Sequence, residues 1–244
     1  MNRFVVITGH LGGVGSHLTN VFTDSGYRVV GIDREAADSR AWKQIVCDFS
    51  RLIDAESTDT LRLDILAALE AGQLVALVNN AASQQLGALA EVEIEAFAGS
   101  LQINALAPLL LTRLMMPELA QATATVINIG SIHARQTKAG FAPYSISKAA
   151  LAGVTRAMAI EWGEEITVLE VQPAAIATPM LEAGFRSNQQ ARERLDGYHP
   201  TGQIGNPHEL AQLVLDLVRS PSRFLNGAIV SFDGGISHVL HDPT

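Results

Sequence analysis

The chain has 244 residues, of which 48% are hydrophobic and 17% charged, which supports a substantial core and excludes a disordered chain. A net charge of −8 argues against nucleic acid and against an anionic membrane surface as partners. The single cysteine, Cys47, excludes an internal disulfide and suits a reducing cytoplasm.

A strand expected from Arg3 leaves no room for a signal peptide, and no apolar run reads as long enough to cross a bilayer, so a cytoplasmic protein is expected. FVVIT (4–8) is β-branched throughout and reads as a strand buried on both faces. TGHLGGVG (8–15) follows. Gly9, Gly12, Gly13 and Gly15, with Val14 among them, permit a tight turn and let backbone N–H groups approach an anion. The segment to Ser25 reads as a helix, so a pyrophosphate would sit at its N-terminus. After Gly26, YRVVGID (27–33) is a second strand ending on Asp33. That carboxylate, roughly 20 residues past the loop, is placed for the ribose hydroxyls of an adenosine and would repel a 2′-phosphate. NAD is therefore expected over NADP, although the guanidinium of Arg34 could receive that phosphate and keeps NADP possible.

IVCD (45–48) is a third strand, and Asp48 at its end either reaches an adenine amino group or forms a turn. Residues 60–71 carry Leu61, Ile65, Leu66 and Leu69 at helical spacing, with Gly72 as the stop. LVALV (74–78) is a fourth strand that closes on Asn79, Asn80, Ala81 and Ala82, where amides beside small residues can line a cofactor wall or simply make a turn. Residues 91–119 read as one long helix with Asn104 among Leu101, Ile103, Leu106 and Leu109. That amide either satisfies a backbone kink near Pro108 or holds a water near the site.

ATVINIG (124–130) is a fifth strand that delivers Ser131, and a helix over 144–162 opens with Tyr144 and Lys148. These two are one turn apart and rise from one face. An ammonium beside a phenol favours the phenolate, lowering Tyr144 from a pKa of about 10 toward the acid/base range, with the Ser131 hydroxyl free to hold a substrate oxygen. Ala149, Ala150, Ala152 and Gly153 make a small-residue face for packing on the sheet or on another subunit. ITVLEV (166–171) is a sixth strand. Residues 172–205 are broken by prolines and glycines, with a short helical piece over 189–195, and read as a lid. NPHE (206–209) reads as a capping box opening a helix to Arg219, and GAIVSFDGG (227–235) supplies a seventh strand. With no repeat or linker, one domain over 1–244 is expected.

Alternating β and α elements imply a doubly wound parallel α/β sheet with helices on both faces and ligands at the carboxyl ends of its strands. Thr8, Gly9, Asp33, Asp48, Asn79 and Ser131 all fall at such ends.

In these motifs, from Phe4 to Gly235, the chain resembles the short-chain dehydrogenase/reductase family, a single-domain Rossmann-type fold. The resemblance rests on TGHLGGVG, NNAA (79–82), Asn104, Ser131, Tyr144-x-x-x-Lys148 and PAAIATPM (173–180). It implies Tyr144 as general acid/base, Ser131 orienting the reacting oxygen, Lys148 on the nicotinamide ribose and Asn104 holding a relay water. It further implies Ile176 and Thr178 at the nicotinamide end, Asp48 with Phe49 at the adenine, and a homo-oligomer, tetramer or dimer. Ala82 and Ala174 stand where the family usually has glycine, and would be strained if either position needs positive φ. The implied activity is hydride transfer between NAD(H) and a small-molecule alcohol/carbonyl pair. His133, Gln136, Phe141, Arg186, Tyr198 and His199 flank the expected substrate pocket or face solvent. Arg186, Arg192 and Arg194 either attract an anionic group or, the preferred reading, only solvate the lid; His10 and His17 read as packing or surface residues, and no structural zinc is expected.

Overall fold

The computed structural model describes residues 2–51, 55–186 and 188–240, so parts of the expected domain and Ser187 of the expected lid lie outside the described residues. Seven parallel strands form one sheet: β1 (Arg3–Thr8), β2 (Arg28–Asp33), β3 (Lys43–Val46), β4 (Gln73–Asn79), β5 (Thr125–Ile129), β6 (Thr167–Pro173) and β7 (Ile229–Phe232). Their order is β3-β2-β1-β4-β5-β6-β7. The chain enters at β1, runs outward through β2 to β3, then crosses back to β4 on the other side. The loops after β1 and β4 therefore part from each other, and that divergence opens a crevice at the carboxyl edge.

Alternation along the strands sends side chains to two cores. Phe4, Val6, Val30, Ile32, Leu77 and Val126 face one, with α2 (Ala55–Leu69), α4 (Ala107–Leu114), α5 (Met116–Gln121) and α6 (Ala142–Glu161) packed on it. Val5, Ile7, Val29, Val78 and Ile127 face the other, with α1 (Gly13–Asp24) and α9 (Pro207–Arg219). Helix α9 buries Leu210, Ala211, Val214, Leu215 and Val218 at helical spacing. Its cap is Asn206 Oδ1 accepting from His208 N–H at 2.8 Å, one residue earlier than the expected box. Helix α6 divides its small residues: Ala152 packs inward and Ala149 faces out.

Three expectations are corrected. The helix expected over 91–119 begins at Ile94 as α3 (Ile94–Leu101), passes through a π turn (Gln102–Leu106), and continues as α4 and then α5. Pro108 has no N–H to give the carbonyl four residues back. By length and composition alone Ile94–Leu114, 21 residues, could cross a bilayer, contrary to the sequence reading; here the π turn interrupts it and it packs against α6. The lid is less irregular than expected. Beyond Pro173, Ile176 bridges to Gly205, and α7 (Pro179–Gly184) and α8 (Gln189–Gly197) fill the span.

Candidate active site

The glycine loop starts at Gly9, whose φ of +64° suits a residue without a side chain. Gly9 N–H donates to Ile32 O at 2.7 Å, and Gly12 N–H returns to Gly9 O at 3.1 Å. Gly12 caps α1 with no side-chain acceptor, so the first amides of that helix keep their donors for an anion, helped by the helix dipole. A Cβ on Gly15 would run into Gly9 O, and one on Gly13 would come within 2.7 Å of Thr178 Cβ. Thr178 itself caps α7 by accepting from Leu181 N–H, so the base of the lid rests directly on the glycine loop.

Asp33 secures the loop from β2. Its Oδ2 accepts from Leu11 N–H at 3.0 Å and its Oδ1 from Arg34 N–H at 2.9 Å. The ring of His10 is buried in the space left by Gly31, with Nδ1 3.9 Å from the same carboxylate, so the packing reading of His10 holds. From β4, Asn80 Nδ2 donates to Thr8 O and Gly9 O at 2.9 and 3.0 Å, while Thr8 Oγ1 accepts from the N–H groups of Asn80 and Ala81. Sequence reasoning placed both amides of the pair at a cofactor wall or a turn, and did not foresee that Asn80 clamps the glycine loop. The signal was the doubled amide: alternation turns one inward and leaves the other for the loop.

Thr8, Phe49, Asn79, Ala81, Ile103 and Leu111 line one narrow cleft beside this loop. Asn79 is buried there, donating to Asn128 Oδ1 at 2.8 Å, and its own Oδ1 has no protein partner among the described residues. Asp48 lies past the end of β3, exposed, and accepts from Ser50 N–H at 2.9 Å, the turn-forming arrangement. Bonds from Ser50 hold its carboxyl below the usual range.

Ser131 follows β5 and accepts from His133 N–H at 3.2 Å. His133 stacks on Phe141, centroids 4.6 Å apart, and meets the Tyr144 ring edge-on at 5.7 Å, so one of the expected pocket residues stands against Tyr144 and a second backs it. Gln136 instead donates to Ser237 O, and Tyr198 is exposed. Lys148 is 2% exposed and donates to Ile129 O at 2.7 Å. Its Nζ is 5.8 Å from the Tyr144 ring centroid. The expected acidification of Tyr144 by Lys148 is corrected. Burial pushes the phenol up, only the Ser131 hydrogen bond opposes it, and burial lowers Lys148 to about 8 against the support of Glu170.

Asn104, in the π turn, is satisfied on all sides. It accepts from Ser83 N–H at 2.7 Å and donates to Ser83 O and Ser147 Oγ, each at 2.8 Å. The amide therefore ties the loop after β4 to α6, through bonds to distant segments and not to the backbone near Pro108. Ile176 is buried at the bridge to Gly205. Ala82 and Ala174 are not among the residues with positive φ, which removes the expected strain. Arg192 is not a solvating residue: it pairs with Glu182 at 3.0 Å and Asp196 at 2.7 Å, joining α7 to α8. Cys47 is a thiol raised by burial to about 11, without thiolate character at neutrality.

A family model described as enoyl-(acyl carrier protein) reductase matches residues 9–237. The chain belongs to the short-chain dehydrogenase/reductase family. Among curated members of that family, the (2S)-[(R)-hydroxy(phenyl)methyl]succinyl-CoA dehydrogenase subunit BbsD of Thauera aromatica is 32% identical over 249 residues, covering 97% of each chain. The ligand-free aldohexose dehydrogenase of Thermoplasma acidophilum superposes with a TM-score of 0.91 at 22% identity, covering 100% of this chain and 97% of that one. ElxO with NADP bound superposes at 0.87 and 22% identity, covering 98% of this chain and 100% of that one. This short-chain dehydrogenase/reductase is thus an oxidoreductase with a single seven-stranded parallel sheet, and its glycine cradle, closed to side chains at Gly13 and Gly15, fits a dinucleotide.

Proposed function

We propose that the protein transfers hydride between NAD(H) and a secondary alcohol/carbonyl pair, with Tyr144 as the acid/base. The observation that carries the reading is the meeting of Ser131, Tyr144 and Lys148 at the carboxyl edge, on the strand and helix that border the switch point beside the glycine cradle. Bound NAD supplies the hydride acceptor, and NADH the donor, at this edge. Gly12, Gly13, Val14 and Gly15 hold the pyrophosphate, Asp33 the adenosine ribose, Lys148 the nicotinamide ribose, and Ile176 and Thr178 the nicotinamide end. Ser131 orients the substrate oxygen. Tyr144, which burial keeps protonated at neutrality, gives its phenolic proton to that oxygen in reduction and recovers it in oxidation.

NAD is preferred because both oxygens of Asp33 are fixed by backbone N–H groups where a 2′-phosphate would enter. NADP is the second reading, favoured by the exposed Arg34, although that guanidinium already lies 3.7 Å from Glu35. A homo-oligomer is part of the reading. Ile94, Leu106, Ile146 and Ile160 are exposed apolar residues on the α3 to α6 layer and support a covered face. The test is a panel of secondary alcohols and ketones assayed in both directions with NAD(H) and NADP(H). Turnover with NAD(H) over NADP(H) supports the proposal, whereas NADH binding with no turnover on any pair makes the protein a dinucleotide-binding regulator.

A further inference from the structure

Asn79, Asn128 and Glu170 stand side by side in one register row across β4, β5 and β6. Paired residues of a parallel sheet point to the same face, so three polar side chains lie together in the middle of the molecule. They are linked. Asn79 Nδ2 donates to Asn128 Oδ1 at 2.8 Å and Asn128 Nδ2 to Thr155 Oγ1 at 2.9 Å. Thr155 Oγ1 stands 3.1 Å from Glu170 Oε2, and Gln172 Nε2 donates to Glu170 Oε1 at 2.7 Å. Glu170 is 0% exposed.

A carboxyl so buried is costly and is rarely kept without a role. Its location gives it one. Oε1 fills the volume where a Cβ on Gly130 would be, so the glutamate lodges behind the strand end at the one residue that leaves it room. Gly130 is flanked by Ile129, whose carbonyl holds Lys148 Nζ at 2.7 Å, and by Ser131. Burial pushes the Glu170 carboxyl up, and its donors Gln172 and Thr155, followed by the charges of Lys148 and Arg156 from α6, hold it down.

We infer that Glu170 is a positioning residue of this site: seated against Gly130, it braces the strand end that presents Ser131 and the Ile129 carbonyl that holds Lys148. The electrostatics agree in sign, since Glu170 is what raises Lys148 against the burial that lowers it.

The chain has three lysines, Lys43, Lys138 and Lys148, so peptide-mapped trace acetylation against pH titrates each without cofactor or substrate. With Glu170→Gln, which keeps shape and most hydrogen bonds, the Lys148 midpoint moves down from about 8 by roughly one pH unit, while the exposed Lys43 and Lys138 midpoints stay. The alkaline fall of kcat/KM for NADH-dependent reduction moves with it, by the same amount. Coincident Lys148 midpoints in the two proteins overturn the inference. If Glu170→Gln does not fold, Glu170→Met, which removes the charge at similar volume, is read by the same criterion. The kinetic arm rests on the proposed dehydrogenase chemistry; the labelling arm does not. A shifted midpoint in a protein with no turnover therefore rejects that chemistry and keeps the role of Glu170 in holding the lysine, whereas turnover with an unshifted midpoint does the reverse.

Discussion

Tyr144 and Lys148 are held by burial in opposite senses, and that opposition gives the site a direction. The phenol lies above its ordinary pKa and is a ready acid at neutral pH. The lysine, near 8, is the group that changes charge first as pH rises. Reduction, which uses a protonated Tyr144 and a charged Lys148, is accordingly expected to hold steady at neutral pH and to fall as pH passes about 8, whereas oxidation, which needs the phenolate of a phenol held above its ordinary value of 10, stays low through that interval. Initial rates from pH 6 to 10 in both directions check this.

Lys148 also carries a stability cost. Its folded pKa is depressed below the model-peptide value of 10.5, so the charged lysine destabilises the fold at all pH below about 8, and the cost fades as pH rises from there to 10.5. Replacing it by methionine removes that cost but leaves Glu170 and the Ile129 carbonyl without the ammonium, so the stability of the variant relative to the wild type is expected to fall by about 2 to 3 kcal/mol from pH 7 to pH 10, with turnover abolished. Denaturant midpoints of the two proteins at pH 7 and 10 measure it. The same difference at both would mean that the lysine is solvated.

At the scale of elements, the π turn is where the site departs from regular structure. A helix passing straight through 102–106 would set Asn104 differently; the widened turn brings it to Ser83 and Ser147. Asn104→Ala leaves the half-buried Ser83 backbone groups and the buried Ser147 hydroxyl without those partners, for an expected loss of about 2 to 3 kcal/mol in chemical denaturation together with a weaker cofactor complex. A variant with unchanged stability would show that the amide is not the link between the loop after β4 and α6.

The same elements show what could be read in advance. The strands were legible because β-branched runs between glycines have few alternatives, and the carboxyl-edge placement of Asp33 and Ser131 followed from the alternation. The π turn was not legible, because Leu101, Ile103 and Leu106 suit an α-helix equally well. Helix α7 was hidden by Pro179, which reads as a breaker but here occupies the first turn. The joining of α7 to α8 by Arg192 and the clamp made by Asn80 are contacts between distant segments, which local patterns do not carry. Nor does a pKa direction follow from spacing: the i,i+4 relation puts Lys148 near Tyr144, while the depth of both side chains determines the sign.

Over the whole molecule, two cores of alternating strand residues fix a single sheet, and the sheet's point of reversal brings the glycine loop, the Asn80 clamp and the Ser131 strand to one edge. The proposed association would cover the exposed apolar surface on the α3 to α6 layer, and multi-angle light scattering is expected to give a mass at least twice that of the 26.0 kDa chain. Ile160→Glu together with Ile94→Glu should shift that mass downward, and a wild-type monomer would contradict it.

The central claim is that one phenol performs the proton transfer beside a bound dinucleotide, and stopped-flow comparison of the wild type with Tyr144→Phe tests it most directly. The expected result is NADH affinity within about twofold of the wild type and a reduction rate lower by at least ~100-fold. A phenylalanine variant that binds NADH and reduces the same carbonyl at the wild-type rate would contradict the account.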